Sequence, residues 1–255
     1  MKRNLNEAIG SLVLVEDGVI GKVADFYFDD HKWTVRYVVI ETGRLLNRHK
    51  VLLSPQAFKK IDWDAKEFST NLTEEQVRNS PDIDTDKTVS RQQRLALHSY
   101  YKWPVEWGEG HERVVVGPVS GGALPIFVKL DQEGRRVSSY ILKGDPHLQS
   151  FMDVSGYDAQ AEYHEKIGHL ESFYMDENTW IISYMLINSH KLNSGNKILI
   201  SPYWVSEVSW DDSKIFVDLT IEAIKNCPEF DYSKSIGIDY EAKLCQYYIS
   251  TEDQH

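Results

Sequence analysis

The chain has 255 residues, 42% of them hydrophobic and 26% charged, a balance that lets a globular protein bury one large core or two modest ones. Its 39 acidic residues outnumber 28 basic ones, giving a formal net charge of -11. Such a surface repels phosphate backbones and anionic bilayers, so neither a general nucleic-acid binder nor a membrane-surface protein is expected.

In chain order, the first clear element is a hairpin. Asp29-Asp30 suits its turn, because short acidic side chains bond back to turn backbone. A strand follows over Trp33–Ile40, where Trp33, Val35, Tyr37 and Val39 alternate with Thr34, Arg36, Val38 and Ile40. Ser54-Pro55 ends another strand, since proline has no amide for the ladder. Thr73-Glu74-Glu75-Gln76 is a capping-box pattern that starts a short helix ending near Pro81. Ser90-Arg91-Gln92-Gln93 opens a second helix, with Leu95, Leu97 and Tyr101 at helical spacing. Residues 102–150 read as a linker with a hairpin, Phe127–Leu130 to Ser138–Leu142, turning at Gln132-Glu133-Gly134.

The series then repeats. A shift of 147 residues aligns Ile20–Tyr101 with Ile167–Tyr248 without a gap, and about 25 of the 82 pairs are identical. Ile20-Gly21 meets Ile167-Gly168, Phe26-Tyr27 meets Phe173-Tyr174, Trp33 and Tyr37 meet Trp180 and Tyr184, and Ser54-Pro55 meets Ser201-Pro202. Trp63-Asp64 meets Trp210-Asp211, Leu72-Thr73 meets Leu219-Thr220, and Tyr100-Tyr101 meets Tyr247-Tyr248. The expected organisation is an all-β chain with short helices: two tandem small β-barrels over 5–101 and 151–248, each with a helical tail, joined by the 102–150 linker. The duplication predicts a pseudo-twofold pair, the single-chain counterpart of a homodimer.

The two cysteines, Cys227 and Cys245, lie in the second copy with no C-x-x-C spacing and read as reduced thiols of a cytoplasmic protein. Met1 to Glu7 lacks the apolar core of a signal peptide. Apolar runs such as Trp180–Ile187 are too short to span a bilayer, and Val114–Val128 is broken by Gly117, Pro118, Gly121, Gly122 and Pro125. No integral membrane segment is therefore expected.

The repeated pattern resembles the PRC-barrel domain family. It runs Gly-(Lys/His)-(Val/Leu)-x-(Asp/Ser)-Phe-Tyr-x-Asp, a Trp, Tyr-(Val/Met)-(Val/Leu)-Ile, Lys-(Val/Ile)-Leu-(Leu/Ile)-Ser-Pro, Trp-Asp and Leu-Thr. Asp145-Pro146-His147-Leu148-Gln149-Ser150 resembles the connector of double PRC-barrel proteins, as do Tyr100-Tyr101-Lys102-Trp103-Pro104 and Trp107-Gly108. The resemblance covers about 5–108 and 145–248. It implies a docking or regulatory module, since one such barrel contacts a ribosomal protein in a ribosome maturation factor. Another covers the cytoplasmic face of the photosynthetic reaction centre, in its H subunit, and tunes proton delivery to a quinone. Neither the membrane helix of that subunit nor the extra domain of the maturation factor is matched, so neither specific role is expected to carry over.

Motifs that suggest chemistry lose their force against the repeat. Asp82-Ile83-Asp84-Thr85-Asp86 begins like a calcium loop, but Lys87 stands where glycine belongs and Gln93 where the bidentate Glu belongs. His164 and His169, near Glu162, Glu165 and Glu171, face Asp17 and Lys22 in the first copy and read as turn residues. Gly117-Pro118-Val119-Ser120-Gly121-Gly122 has no following Lys-(Ser/Thr) and reads as linker. Ser54 and Ser201 lack a nucleophile-elbow setting, and the acids flanking Trp63 and Trp210 read as turns. No catalytic residue, metal or cofactor is expected.

What remains is aromatic. Most of Trp33, Trp63, Trp180, Trp210 and the paired tyrosines read as core. Positions where the copies differ are better candidates for binding a partner: Tyr203-Trp204 replaces Gln56-Ala57, while Trp103 and Trp107 have no counterpart. The expectation is a non-enzymatic interaction or regulatory module with a protein partner, docking where the two barrels meet, with self-association open beside it. The alternative is a small-ligand-binding or electron-transfer accessory, which requires a cavity of roughly 300 Å³ or more.

Overall fold

The computed structural model describes residues 1–43, 49–81, 91–103, 114–116, 127–130, 136–140, 147–189, 197–232 and 235–252; for 91–95, the three linker segments and 251–252 this extends to the backbone only. The first copy comprises β1 (Lys2–Asn4), α1 (Leu5–Ala8), β2 (Leu12–Val15), β3 (Gly18–Asp29), β4 (Thr34–Thr42), β5 (His49–Leu53), β6 (Phe58–Asp62), β7 (Glu67–Thr70), α2 (Glu74–Arg78) and α3 (Arg91–Tyr101). The linker contributes β8 (Val114–Val116), β9 (Phe127–Leu130) and β10 (Arg136–Tyr140). The second copy comprises β11 (Leu148–Ser150), α4 (Phe151–Val154), β12 (Asp158–Gln160), β13 (Lys166–Asp176), β14 (Ile182–Asn188), β15 (Lys197–Ile200), β16 (Val205–Ser209), β17 (Lys214–Val217), α5 (Ile221–Asn226) and α6 (Ile238–Glu252). The chain is thus mostly β with a few short helices.

Each copy builds a sheet in the same order, β5-β4-β3-β2-β7-β6 and β15-β14-β13-β12-β17-β16, with β2–β7 and β12–β17 the parallel pairs. The likeness extends to irregularities. Register shifts at Ile20, Ala24, Arg36 and Lys59 recur 147 residues on at Ile167, Glu171, Ser183 and Ser206. A bulge adds one residue to one strand and so reverses the in-out alternation beyond it. At Arg36 this corrects the strict alternation expected of the Trp33–Ile40 strand. Val35 shares a core with Val38 and Ile40, whereas Tyr37 and Val39 face a second cluster with Leu97 of α3.

Gly21 and Gly168 explain their own identity. A Cβ at either position would lie 2.2 Å from a backbone oxygen of the neighbouring strand, Glu41 or Asn188 respectively. The predicted turn chemistry also holds. Asp29 accepts from the amides of His31 and Lys32 at 3.0 and 2.9 Å, and Asp176 from those of Asn178 and Thr179 at 3.0 and 3.1 Å. These turns end at Trp33 and Trp180, both left-handed at φ 47° and 60°. The capping box at Thr73 and Gln76 forms as read, at 3.2 and 2.9 Å. The linker hairpin forms between β9 and β10, and β8 adds a third strand; its turn lies outside the described residues.

The two copies exchange their first strands. β1 pairs with β13 of the second sheet, and β11 with β3 of the first. The following helices go with them: Leu5 and Phe151, at equivalent positions of α1 and α4, are both fully buried. Segment boundaries at residues 5 and 151 therefore cut through the exchanged pieces. Between the sheets, the Val35 amide donates to the Trp180 carbonyl at 2.9 Å and the Ile182 amide to the Trp33 carbonyl at 2.7 Å. Phe28 and Phe173 meet edge to face at 5.2 Å, Trp33 stacks on Phe28 at 5.7 Å, and Trp180 on Phe58 at 6.2 Å. One continuous hydrophobic core results, running from Leu5 to Tyr248, and aromatic rings pack the junction between the sheets.

Candidate functional sites where the copies part

Shared features are accounted for by the shared fold, so function is sought where equivalent positions carry different chemistry. Two places stand out, one on each copy.

The first is an aromatic surface on the second copy. The turn Glu162–His164 holds Tyr163 and His164 both left-handed, at φ 57° and 60°. Non-glycine residues pay of order 1 kcal/mol or more for this conformation, and two in succession are uncommon. The turn is fixed by the Glu162 amide donating to the Leu219 carbonyl at 3.1 Å. Tyr163 gains no burial from it and is 91% exposed, while the His164 ring meets Phe216 of β17 edge to face at 5.2 Å. On the other side of β17, the Trp204 carbonyl accepts from the Asp218 amide at 2.8 Å. Tyr203 stands 77% exposed with its ring 5.4 Å from Trp204, which leans on Tyr248 of α6. Glu162 matches Glu16, whose amide donates to the Leu72 carbonyl at 2.9 Å, so Tyr163 and His164 fall against Asp17 and Gly18 around a one-residue insertion. Phe216, Tyr203 and Trp204 match Ser69, Gln56 and Ala57, and none of these first-copy residues is aromatic.

The structure treats the sequence candidates differently. Tyr203 is a solvent-facing ring, whereas Trp204 is half-buried. Trp103 is also half-buried, stacked on Tyr101 at 4.3 Å, and seals the α3 cluster. Trp107 lies outside the described residues, as do the calcium-like run 82–86 and the glycine-rich run 117–122. Among the described residues, the group of three donors that could hold a metal includes neither His164 nor His169.

The second place went unread in the sequence. Strand exchange brings His147, just ahead of β11, onto the β3–β4 turn. The Asp30 amide donates to the His147 carbonyl at 2.9 Å, and His147 Nδ1 lies 3.1 Å from Asp30 Oδ1. The His31 and His147 rings are 3.9 Å apart. One ligand atom from each of Asp30, His31 and His147 lies within 4.8 Å of the others. Burial raises the Asp30 pKa in spite of the His147 contact. At the matching place on the second copy, Glu177 takes Arg3 Nε at 2.8 Å and the Met1 ammonium at 3.1 Å, while Asn178 stands for His31. Burial there acts upward too, but the Arg3 and ammonium contacts outweigh it and the Glu177 pKa is lowered. Reading this cluster from sequence required knowing that residue 147 crosses to residue 30; the one available signal was the Asp30-His31 to Glu177-Asn178 difference.

Among the described residues, no helix is long and apolar enough to cross a membrane. No family model matches the chain, and no curated protein matches it.

Proposed function

We propose that the chain is a double PRC-barrel interaction module, a pseudo-twofold pair of small barrels without catalytic chemistry, whose docking face is the aromatic surface of the second copy. The repeated Gly, Phe-Tyr, Trp and Ser-Pro motifs support the family reading, together with two sheets of like strand order. One observation carries the docking face. A strained turn presents Tyr163 to solvent and sets the His164 ring against Phe216, and on the other side of β17 Tyr203 stands exposed next to Trp204, at positions that are polar or small in the first copy. Backbone strain at an exposed residue earns no folding energy, so a binding role accounts for it better than packing does. Large rings with few rotatable bonds are suited to anchoring a partner. Exposed Glu165, Glu207 and Asp218 flank these rings, so the surface fits a protein segment presenting apolar side chains beside Lys or Arg.

The test is site-specific photocrosslinking in native lysate, with benzoylphenylalanine placed at Tyr163 or Tyr203 and, for comparison, at Asp17 or Gln56. The expected result is one protein adduct from the second-copy positions only. Excess wild-type chain should compete it away, and the Tyr163→Ala/Tyr203→Ala variant should not. Equal adducts from both copies, or adducts that wild-type chain does not compete, would overturn the reading.

A further inference from the structure

We propose that Asp30, His31 and His147 bind a divalent transition-metal ion, most readily zinc, and that the ion clamps the first copy's hairpin to the segment entering the second.

The donor set is two imidazoles and one carboxylate, which suits zinc and neighbouring metals and does not suit magnesium or calcium. The three donors already lie within 4.8 Å of one another. Tetrahedral zinc with bonds of about 2.0–2.1 Å separates its ligand atoms by about 3.3 Å, so the side chains need to close by an ångström or so. Both histidines lie at the surface and His147 Nδ1 already meets Asp30 at 3.1 Å, so the adjustment is one of exposed side chains. Their backbone is held in place. Asp29 fixes the amides of His31 and Lys32, and the Asp30 amide is bonded to the His147 carbonyl. Three protein ligands leave a fourth position for water or a partner's side chain.

The comparison with the second copy gives independent support. There the carboxylate is satisfied by cations of the chain, Arg3 and the Met1 ammonium. In the first copy His147 replaces the Met1 ammonium and the neutral Gln149, which hydrogen-bonds Asp30, replaces Arg3, while His31 stands in the place of Asn178. Among the described residues, the carboxylate thus has two imidazoles and no chain cation beside it. The second copy cannot offer the same ligands, and one ion per chain follows. Because His147 sits at the end of the 104–147 connection and Asp30-His31 on the first sheet, the ion joins two elements 116 residues apart.

The experiment is calorimetric titration of Zn²⁺ into the tag-free, metal-stripped full chain, with Co²⁺ absorption as a second readout. Expected are one saturable site, cobalt bands in the visible, and a melting temperature that rises with Zn²⁺ concentration. His31→Asn, which installs the second copy's turn residue, and His147→Ala should each weaken binding by more than about 10-fold. Their melting temperatures without metal should stay near wild type. A His164→Ala/His169→Ala variant should bind normally. Absence of a saturable site, or a site that survives the His31→Asn/His147→Ala pair, would overturn the proposal.

Discussion

The tips of the two equivalent hairpins, residues 29–33 and 176–180, show how a duplicated fold keeps its frame while changing its chemistry. In both, an aspartate holds the turn amides, a left-handed tryptophan ends the turn, and the carbonyl of the exchanged segment takes an amide from the second turn residue. Frame positions are fixed by backbone geometry and cannot drift. The next position keeps a partly buried carboxylate, Asp30 or Glu177, but the groups around it have diverged, into an Asp-His-His cluster on one copy and a Glu-Arg-ammonium cluster on the other. The same division governs β17 and β7, where Ile215 and Val217 match the equally buried Phe68 and Thr70, while Phe216 between them stands against Ser69.

The strongest way to break the comparison is through the frame. Gly21→Ala and Gly168→Ala each drive a Cβ to 2.2 Å from a backbone carbonyl oxygen, a clash that no side-chain rotation relieves. Each is expected to cost about 3 kcal/mol or more. Because one core spans both copies, each variant should still unfold in a single transition, at lower urea and with an unchanged slope. Two separate transitions would show that the copies are energetically independent.

A smaller effect tests the exchange itself. Asn4 caps α1 and receives the Ser172 hydroxyl, whereas the equivalent cap Ser150 gives its hydroxyl to Asp25 at 2.6 Å. Cap and receiver have traded roles of acceptor and donor between the copies. Asp25→Ser alone removes the acceptor for Ser150 and for the Met152 amide, which is 3.0 Å away. The expected loss is about 1–2 kcal/mol. Adding Ser150→Asn rebuilds the second-sheet pair and should restore much of it, a positive coupling that thermal or urea unfolding can measure. Burial raises the Asp25 pKa above its ordinary value in the fold, against the hydrogen bonds from Ser150, Met152 and Phe26. A carboxyl raised in this way holds its proton longer folded than unfolded, so its contribution is most favourable in acid and declines as pH rises through the folded value. Asp25→Asn should therefore be the more stable protein at pH 7, with the margin vanishing below about pH 4.

Much of this frame was legible in the sequence, and the reasons are local. The Asp29 turn, the Thr73 capping box and the β9–β10 hairpin depend on residues within a few positions of one another. The duplication was legible because close approach at Gly21 and the turn at Trp33 tolerate few residue types. The exchange of β1 and β11 was not, since three-residue strands carry no period and their partners lie more than a hundred residues away. The metal-type cluster follows from that exchange and was hidden with it. The alternation over Trp33–Ile40 misled because a bulge leaves no mark in composition. Of the aromatic candidates, Tyr203 stood out by replacing Gln56. Trp103 carries the same signal but packs against its own helix, a distinction only tertiary structure makes.

The smallest effect concerns the thiols, which have no counterpart in the first copy: Ser80 and His98 occupy the equivalent positions. Cys227 caps α5 and is buried, and burial pushes its pKa up to about 11. Cys245 lies on the exposed side of α6. Only a thiolate attacks a disulfide reagent, and it must also be reachable. At pH 8 the native chain should therefore titrate one thiol rapidly with Ellman's reagent, and two after unfolding in guanidinium. Cys245→Ser should abolish the fast phase and leave the melting temperature within a degree or two of wild type, as expected of an exposed position. Cys227→Ser should leave the fast phase intact. A second fast thiol in the native chain would mean that α5 and α6 open readily from the second sheet, and would place the weak point of the molecule in its second copy.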